Sequence, residues 1–266
     1  MRKWFLKYLE VGLINIRSRW AYLWDQLISN WFLAVILFVF VQLWKVTFSA
    51  TGGGVIDGYS MAEMIWYLVA TEVMVFATPG VHWAIEQEVK GGDLAIRLNK
   101  PYSYLLFHFS AFIGEGIMKL LTAAVIGGLT AYLLIGGFDF RWQGIPMLLV
   151  IWLTTMTINF FYTASIGLGA FWLEDIQGPY FVFDRLKWIL GGLLLPIEVY
   201  PDFARRIAEA LPFRHMIGGP ARLFVKFTWE GALALFQSQL LWTVVFGLIC
   251  AGIYRLGVRR VDVNGG

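Results

Sequence analysis

The sequence predicts an all-α integral membrane protein that crosses the bilayer with six helices. Three observations carry this. Of the 266 residues, 59% are hydrophobic and 15% charged, whereas soluble domains hold roughly 45–50% apolar residues, glycine included, and about 25% charged ones. The mean hydropathy is +0.66. Six separate stretches reach the ~20 mostly apolar residues that a crossing requires.

In chain order, residues 1–20 come first. At helical spacing Phe5, Leu9, Leu13, Ile16 and Trp20 share one face, and Lys3, Lys7, Glu10 and Arg17 share another. That pattern predicts an amphipathic helix lying on a membrane surface. A solvated helix packed on a partner has the same periodicity and stays open. The charges interrupt any continuous apolar core and no small-residue cleavage site follows, so the stretch does not read as a signal peptide.

The six spans are 24–47, 60–79, 104–135, 145–173, 176–196 and 232–254. The third and fourth are long enough to tilt or to extend beyond the bilayer. The fifth carries Asp184, Arg185 and Lys187, read as its cytosolic end. Most of the 21 Lys and Arg fall on one side of this arrangement: Arg2, Lys3, Lys7, Arg17 and Arg19; Lys90, Arg97 and Lys100; Arg185 and Lys187; Arg255, Arg259 and Arg260. Positive charge is retained on the cytoplasmic side, which predicts a multi-pass plasma-membrane protein, in bacteria the inner membrane, with both termini cytoplasmic.

One segment resists. Residues 197–231 lie outside in this arrangement yet hold Arg205, Arg206, Arg214, Arg222 and Lys226. The favoured reading is a set of short external helices at or dipping into the outer interface; a topology error there is the alternative. The chain shows no internal repeat and no linker, so 1–266 reads as one membrane domain.

Composition and motifs exclude several functions. A single cysteine, Cys250, excludes a disulfide framework. His82, His108 and His215 are isolated, and with one Cys they assemble no metal site. There is no H-E-x-x-H and no P-loop. The net charge of +3, without a basic run, does not suit nucleic acid. Ser165 sits with Ala164, Gly167, Gly169 and Ala170, a small-residue face suited to close helix packing. Charges inside spans are costly and usually functional: Glu63 and Glu72 in the second, Glu115 and Lys119 in the third. The last two stand four apart, the favourable order for an ion pair. Mutual neutralisation is favoured over a proton or substrate path, and an ion-coupled carrier using Glu72, Glu115 and Lys119 is the alternative function.

Residues 82–101 form the most informative loop. His82 to Val89 reads as a short amphipathic helix stopped by Gly91 and Gly92. Here Glu88, Gly92, Leu94, Leu98, Lys100 and Pro101 resemble the second cytosolic segment of the permease subunits of type-2 ABC exporters, a six-span subfamily. A second match near the C-terminus comprises Gly192, Pro196, Pro201, Leu211, Pro212, Phe213 and Pro220. The Gly91-Gly92 doublet followed by Asp93 departs from the family pattern.

The resemblance implies a type V ABC exporter fold. It implies a non-catalytic transport subunit that binds no cofactor of its own, with ATP and Mg held by a separate cytosolic ABC ATPase. It further implies a second permease, copy or paralogue. Residues Trp83, Ile85, Glu86, Glu88, Gly91, Gly92, Leu94 and Pro101 would form the ATPase-coupling element, with Glu86 and Glu88 as an exposed acidic edge. Pro196, Pro201, Leu211, Pro212, Phe213 and Pro220 would cap the path externally. The aromatic, weakly charged spans favour an amphipathic or lipid-like cargo, and membrane lipid is an expected partner.

Overall fold

A computed structural model of the chain describes residues 2–50, 52 and 54–264, with the side chains of 6–28, 30–50, 52 and 54–260. The helices are α1 (Arg2–Ala21), α2 (Leu23–Ser29), α3 (Trp31–Ala50), α4 (Met61–Phe76), α5 (Val81–Lys90), α6 (Asp93–Leu98), α7 (Tyr104–Ile135), α8 (Ile145–Gly167), α9 (Gln177–Gly191), α10 (Asp202–Ala210), α11 (Gly218–Val225) and α12 (Trp229–Asn264). Single 3-10 turns lie between some of them, and among the described residues no strand forms beyond one isolated bridge, Ile56 to Tyr59.

Among the described residues five stretches are long and apolar enough to cross a membrane: Leu23–Ala50, Met61–Lys90, Tyr104–Ile135, Trp142–Phe171 and Trp229–Arg260. The fifth predicted span, 176–196, does not form as one continuous helix. Its helix, α9, has 15 residues, about 22 Å at 1.5 Å per residue, short of a ~30 Å hydrocarbon core. The stop is local: Gly192 takes φ 78°, and the Leu193 N–H turns back to the Trp188 carbonyl. A side chain is barred there, since a Cβ on Gly192 would lie 2.9 Å from the Tyr67 hydroxyl. Asp184 and Lys187 therefore lie mid-helix in α9 rather than at an end.

The connections gather at two ends. At one lie α5, α6, residues 168–176, the Tyr8 hydroxyl on the Ser103 N–H, and Tyr254 stacked on Tyr104 at 5.7 Å. Both α1 and the last turns of α12 therefore sit at the α5–α6 end. At the other, the α3–α4 and α7–α8 connections meet the 192–228 segment, where Lys226 reaches the Gly58 carbonyl and Arg141 the Phe227 carbonyl. There α4 starts on a capping box: Ser60 Oγ accepts from the Glu63 N–H and the Glu63 carboxylate accepts from the Ser60 N–H. Glu63 is thus a helix cap.

Close helix approaches rest on glycine. α1 runs beside the first part of α7 with Gly12 against Gly114, where a Cβ on Gly114 would collide with the Gly12 carbonyl. Its packed side holds Tyr8 and Arg19, while Leu6, Leu9, Leu13 and Trp20 stay exposed. The expected amphipathic helix is thus fastened to α7 along one side. Gly167, on the small-residue stretch of α8, lies so near α5 that a Cβ would stand 2.8 Å from the His82 Cα. α11 is buried through Ala221, Leu223 and Val225 among α4, α8 and α12, so the 197–231 segment turns back into the bundle.

Candidate functional site

α5 is the hub of the α5–α6 end. Val81, His82, Ile85 and Glu86 are buried, while Trp83 is 46% exposed beside exposed Ala84 and Gln87. The helix stops at Gly91, whose N–H bonds the Gln87 carbonyl, and Gly92, at φ 79°, turns the chain into α6. Only glycine adopts that conformation at little cost. Leu94 then buries itself and anchors α6, and Pro101 stays exposed ahead of α7.

The two carboxylates do not form the exposed acidic edge expected of them. Glu86 is 1% exposed; it pairs with Lys90 at 2.6 Å and accepts the Ile176 N–H at 3.3 Å, which ties α5 to the segment entering α9. Glu88 is clasped by three donors: Tyr104 Oη at 2.8 Å, His108 Nε2 at 3.0 Å and Arg97 Nε at 2.8 Å. The physical reason is burial. Both carboxylates lie where α5 meets α6, α7 and the segment entering α9, and a carboxylate removed from water must find cationic or hydrogen-bonding partners. The exposed side of α5 is therefore Trp83, Ala84, Gln87 and Lys90.

His82 completes the hub, its ring stacked on Tyr180 of α9 at 3.5 Å and 14°. Single side chains of α5 thus reach α7, α8 and α9. Tyr104, His108 and Tyr180 escaped the sequence reading, because nothing local distinguishes an aromatic or a lone His in an apolar span. The spacing of Glu88 to Tyr104 and His108, one and two turns apart on the next helix, was the available signal.

The intramembrane charges separate. Glu115 bonds both Lys119 at 3.1 Å and Arg19 of α1 at 2.8 Å, so the pair read from its spacing gains a third member. Lys187 pairs with Asp184 at 2.9 Å, both buried, with its ammonium over the Tyr162 ring. Glu72 is 4% exposed, with no hydrogen-bond or ion-pair partner among the described residues, and it joins neither group.

In the 192–228 segment three of the cations find partners. Arg205 bonds Asp202, Arg222 bonds Glu198 at 3.0 Å, and Lys226 lies over the Tyr59 ring at 3.9 Å. Pro196 opens a 3-10 turn, Pro201 precedes α10, and Pro212 opens a second 3-10 turn after half-buried Leu211. Phe213 packs edge-on against Tyr162, and Pro220 is buried within α11. Tyr67 and Thr71 donate to the Gly192 and Leu193 carbonyls, each at 2.6 Å, and fasten the segment to α4. Burial holds the His215 imidazole down at about 4, with neighbouring Arg214 adding to the effect.

Residues 33–265 match the family model described as ABC-2 family transporter protein. The chain belongs to the ABC-2 transporter family. No curated protein matches it. As an ABC-2 permease it is a multi-pass membrane subunit of an ABC transporter, a family whose membrane subunits are generally non-catalytic and work with an ABC ATPase. The match begins at the third residue of α3 and runs through α12, so it takes in the α5 hub and the 192–228 segment, and leaves α1 and α2 outside.

Proposed function

We propose that this ABC-2 permease is the membrane half of an ATP-driven exporter. Its α5–α6 end faces the cytoplasm and rests on a separate ATPase that holds ATP and Mg, and both termini lie on that side of the bacterial inner membrane. The observation that carries the reading is the Glu88 clasp. Together with the Glu86 and His82 contacts, it makes α5 a strut that cannot shift without moving α7, α8 and α9. A push on the exposed Trp83 side is therefore passed to three helices at once. Residues Trp83, Gln87 and Lys90 make the contact; Ile85, Glu86, Glu88, Gly91, Gly92 and Leu94 hold its shape.

A second permease packs on the side of α9 that exposes Phe181, Phe183, Leu186 and Ile189. Beside it lies a groove of about 430 Å³ lined by Arg185, Trp188, Tyr200 and Phe203. One cation among aromatic side chains suits an amphipathic or lipid-like cargo, with Pro196–Pro220 closing the outer end. The competing reading, an ion-coupled carrier, is weakened because Glu115 and Lys119 are engaged with Arg19 and only Glu72 remains.

The test is purification in mild detergent with intact-mass identification of what accompanies the permease. An ATPase subunit at about one per permease, lost on Trp83→Asp while the permease stays monodisperse, is the expected result. A complex without ATPase that transports in the absence of ATP would replace this reading with the carrier.

A further inference from the structure

Between α7 and α8 the bundle is split by a groove of about 650 Å³ with α4 and α11 as its floor. Its lining is almost wholly apolar. On α7 it runs from Leu120 to Tyr132 and on α8 from Ile145 to Trp152, a length of about 18 Å along α7 at 1.5 Å per residue. One leaflet of a ~30 Å hydrocarbon core is about 15 Å deep. The ends differ. One is lined by half-buried Met74 and Leu120; the other lies at the α7–α8 connection beside Tyr132, Phe140 and Trp142. Tyr132 and Trp142 are largely exposed there, as aromatic side chains are at the headgroup level. Arg141 stands between Phe140 and Trp142, exposed, with one guanidinium nitrogen on the Phe227 carbonyl at 3.1 Å and further donors free for a second acceptor.

From the length, the apolar wall and the cation at the α7–α8 end, we infer that this groove holds one acyl chain of a bilayer phospholipid from the leaflet on the side of the α7–α8 connection. The lipid phosphate meets Arg141. The site is independent of the α9 side assigned above to cargo and to the second permease, and it does not rest on that reading. The chain leaves one apolar medium for another, so little hydrophobic free energy drives it. Its retention comes from contact with the groove wall and from the charge-assisted bond at the headgroup.

Gly128 offers a direct test, because a Cβ there would meet nothing within 4 Å and Gly128 lines the groove. A larger side chain fills the space without forcing helices apart. The permease is reconstituted in phosphatidylglycerol–phosphatidylethanolamine vesicles containing a phospholipid with a photoreactive diazirine near the end of one acyl chain, and labelled peptides are mapped. The expected result is labelling concentrated on α4 near Met74 and on α7 from Leu120 to Gly128. It should fall about fivefold or more in Gly128→Trp and in Ala124→Phe, and several-fold in Arg141→Gln. Ala124→Phe supplies a second filling variant should Gly128→Trp fail to fold. Equal labelling along exposed α12 residues such as Leu241, Val244 and Leu248, unchanged by either filling variant, would overturn the inference. So would cross-linking of two permeases through the groove walls.

Discussion

Replacing Glu88 probes the clasp directly. Tyr104 and His108 are 2% and 5% exposed, so in Glu88→Ala each becomes a buried donor without an acceptor, at about 1–3 kcal/mol apiece. Arg97, at 30% side-chain exposure, recovers much of its loss from water and adds at most about 1 kcal/mol. The expected cost is about 3–5 kcal/mol, in line with removing one member of a buried pair. Glu88→Gln keeps one carbonyl acceptor at the same place and should cost about 1–2 kcal/mol. For a chain of this size each kcal/mol lowers the unfolding midpoint by about 2–4 °C. Thermal unfolding in mild detergent should therefore show a fall of roughly 6–20 °C for the alanine variant and a smaller one for the glutamine. Combined with Glu88→Ala, Arg97→Ala should add almost nothing, because the two share one interaction. A midpoint for Glu88→Ala within about 2 °C of the unaltered protein, or full additivity with Arg97→Ala, would refute the account of α5 as a clamped strut.

Gly167→Val places side-chain atoms against the backbone of His82; the helices must part, at about 1–3 kcal/mol or more, and size-exclusion profiles should show less monodisperse protein. Burial keeps His215 neutral down to about 4, whereas in the unfolded chain it gains its proton near 6.5. Between these values the unfolded state binds the extra proton, so stability should decline as pH falls from about 6.5 to about 4, and His215→Asn should remove that part of the slope in unfolding midpoints measured across this range. Glu72→Gln removes a buried carboxyl that has no hydrogen-bond or ion-pair partner among the described residues. The midpoint should hold or rise, and ATP-driven transport should persist, whereas a carrier dependent on Glu72 would stop.

Hydropathy made the membrane class and five of the spans legible, because the free energy of placing a helix in lipid is roughly a sum over consecutive residues. The stop after α5 was legible too, since Gly91-Gly92 acts through its own backbone conformation. The fifth span, 176–196, is interrupted because Gly192 ends α9 through a contact with Tyr67, 125 residues away in sequence. Without that contact, the apolar run to Pro196 reads as continuous helix.

The charges mark the boundary most sharply. Glu115 with Lys119 followed from a four-residue spacing along one helix. That Arg19 joins them, that Glu88 is taken up by Tyr104, His108 and Arg97, and that Lys187 lies buried on Asp184 did not follow. The sequence by itself determined that this protein lives in a bilayer, roughly where its long apolar helices lie, and which residues carry charge there. Only the tertiary structure decided which charges neutralise one another and which side of α5 is left exposed. A buried ion's partner is set by whichever helices approach closely, and that approach depends on glycines such as Gly12, Gly114 and Gly167, which meet only when the chain is folded.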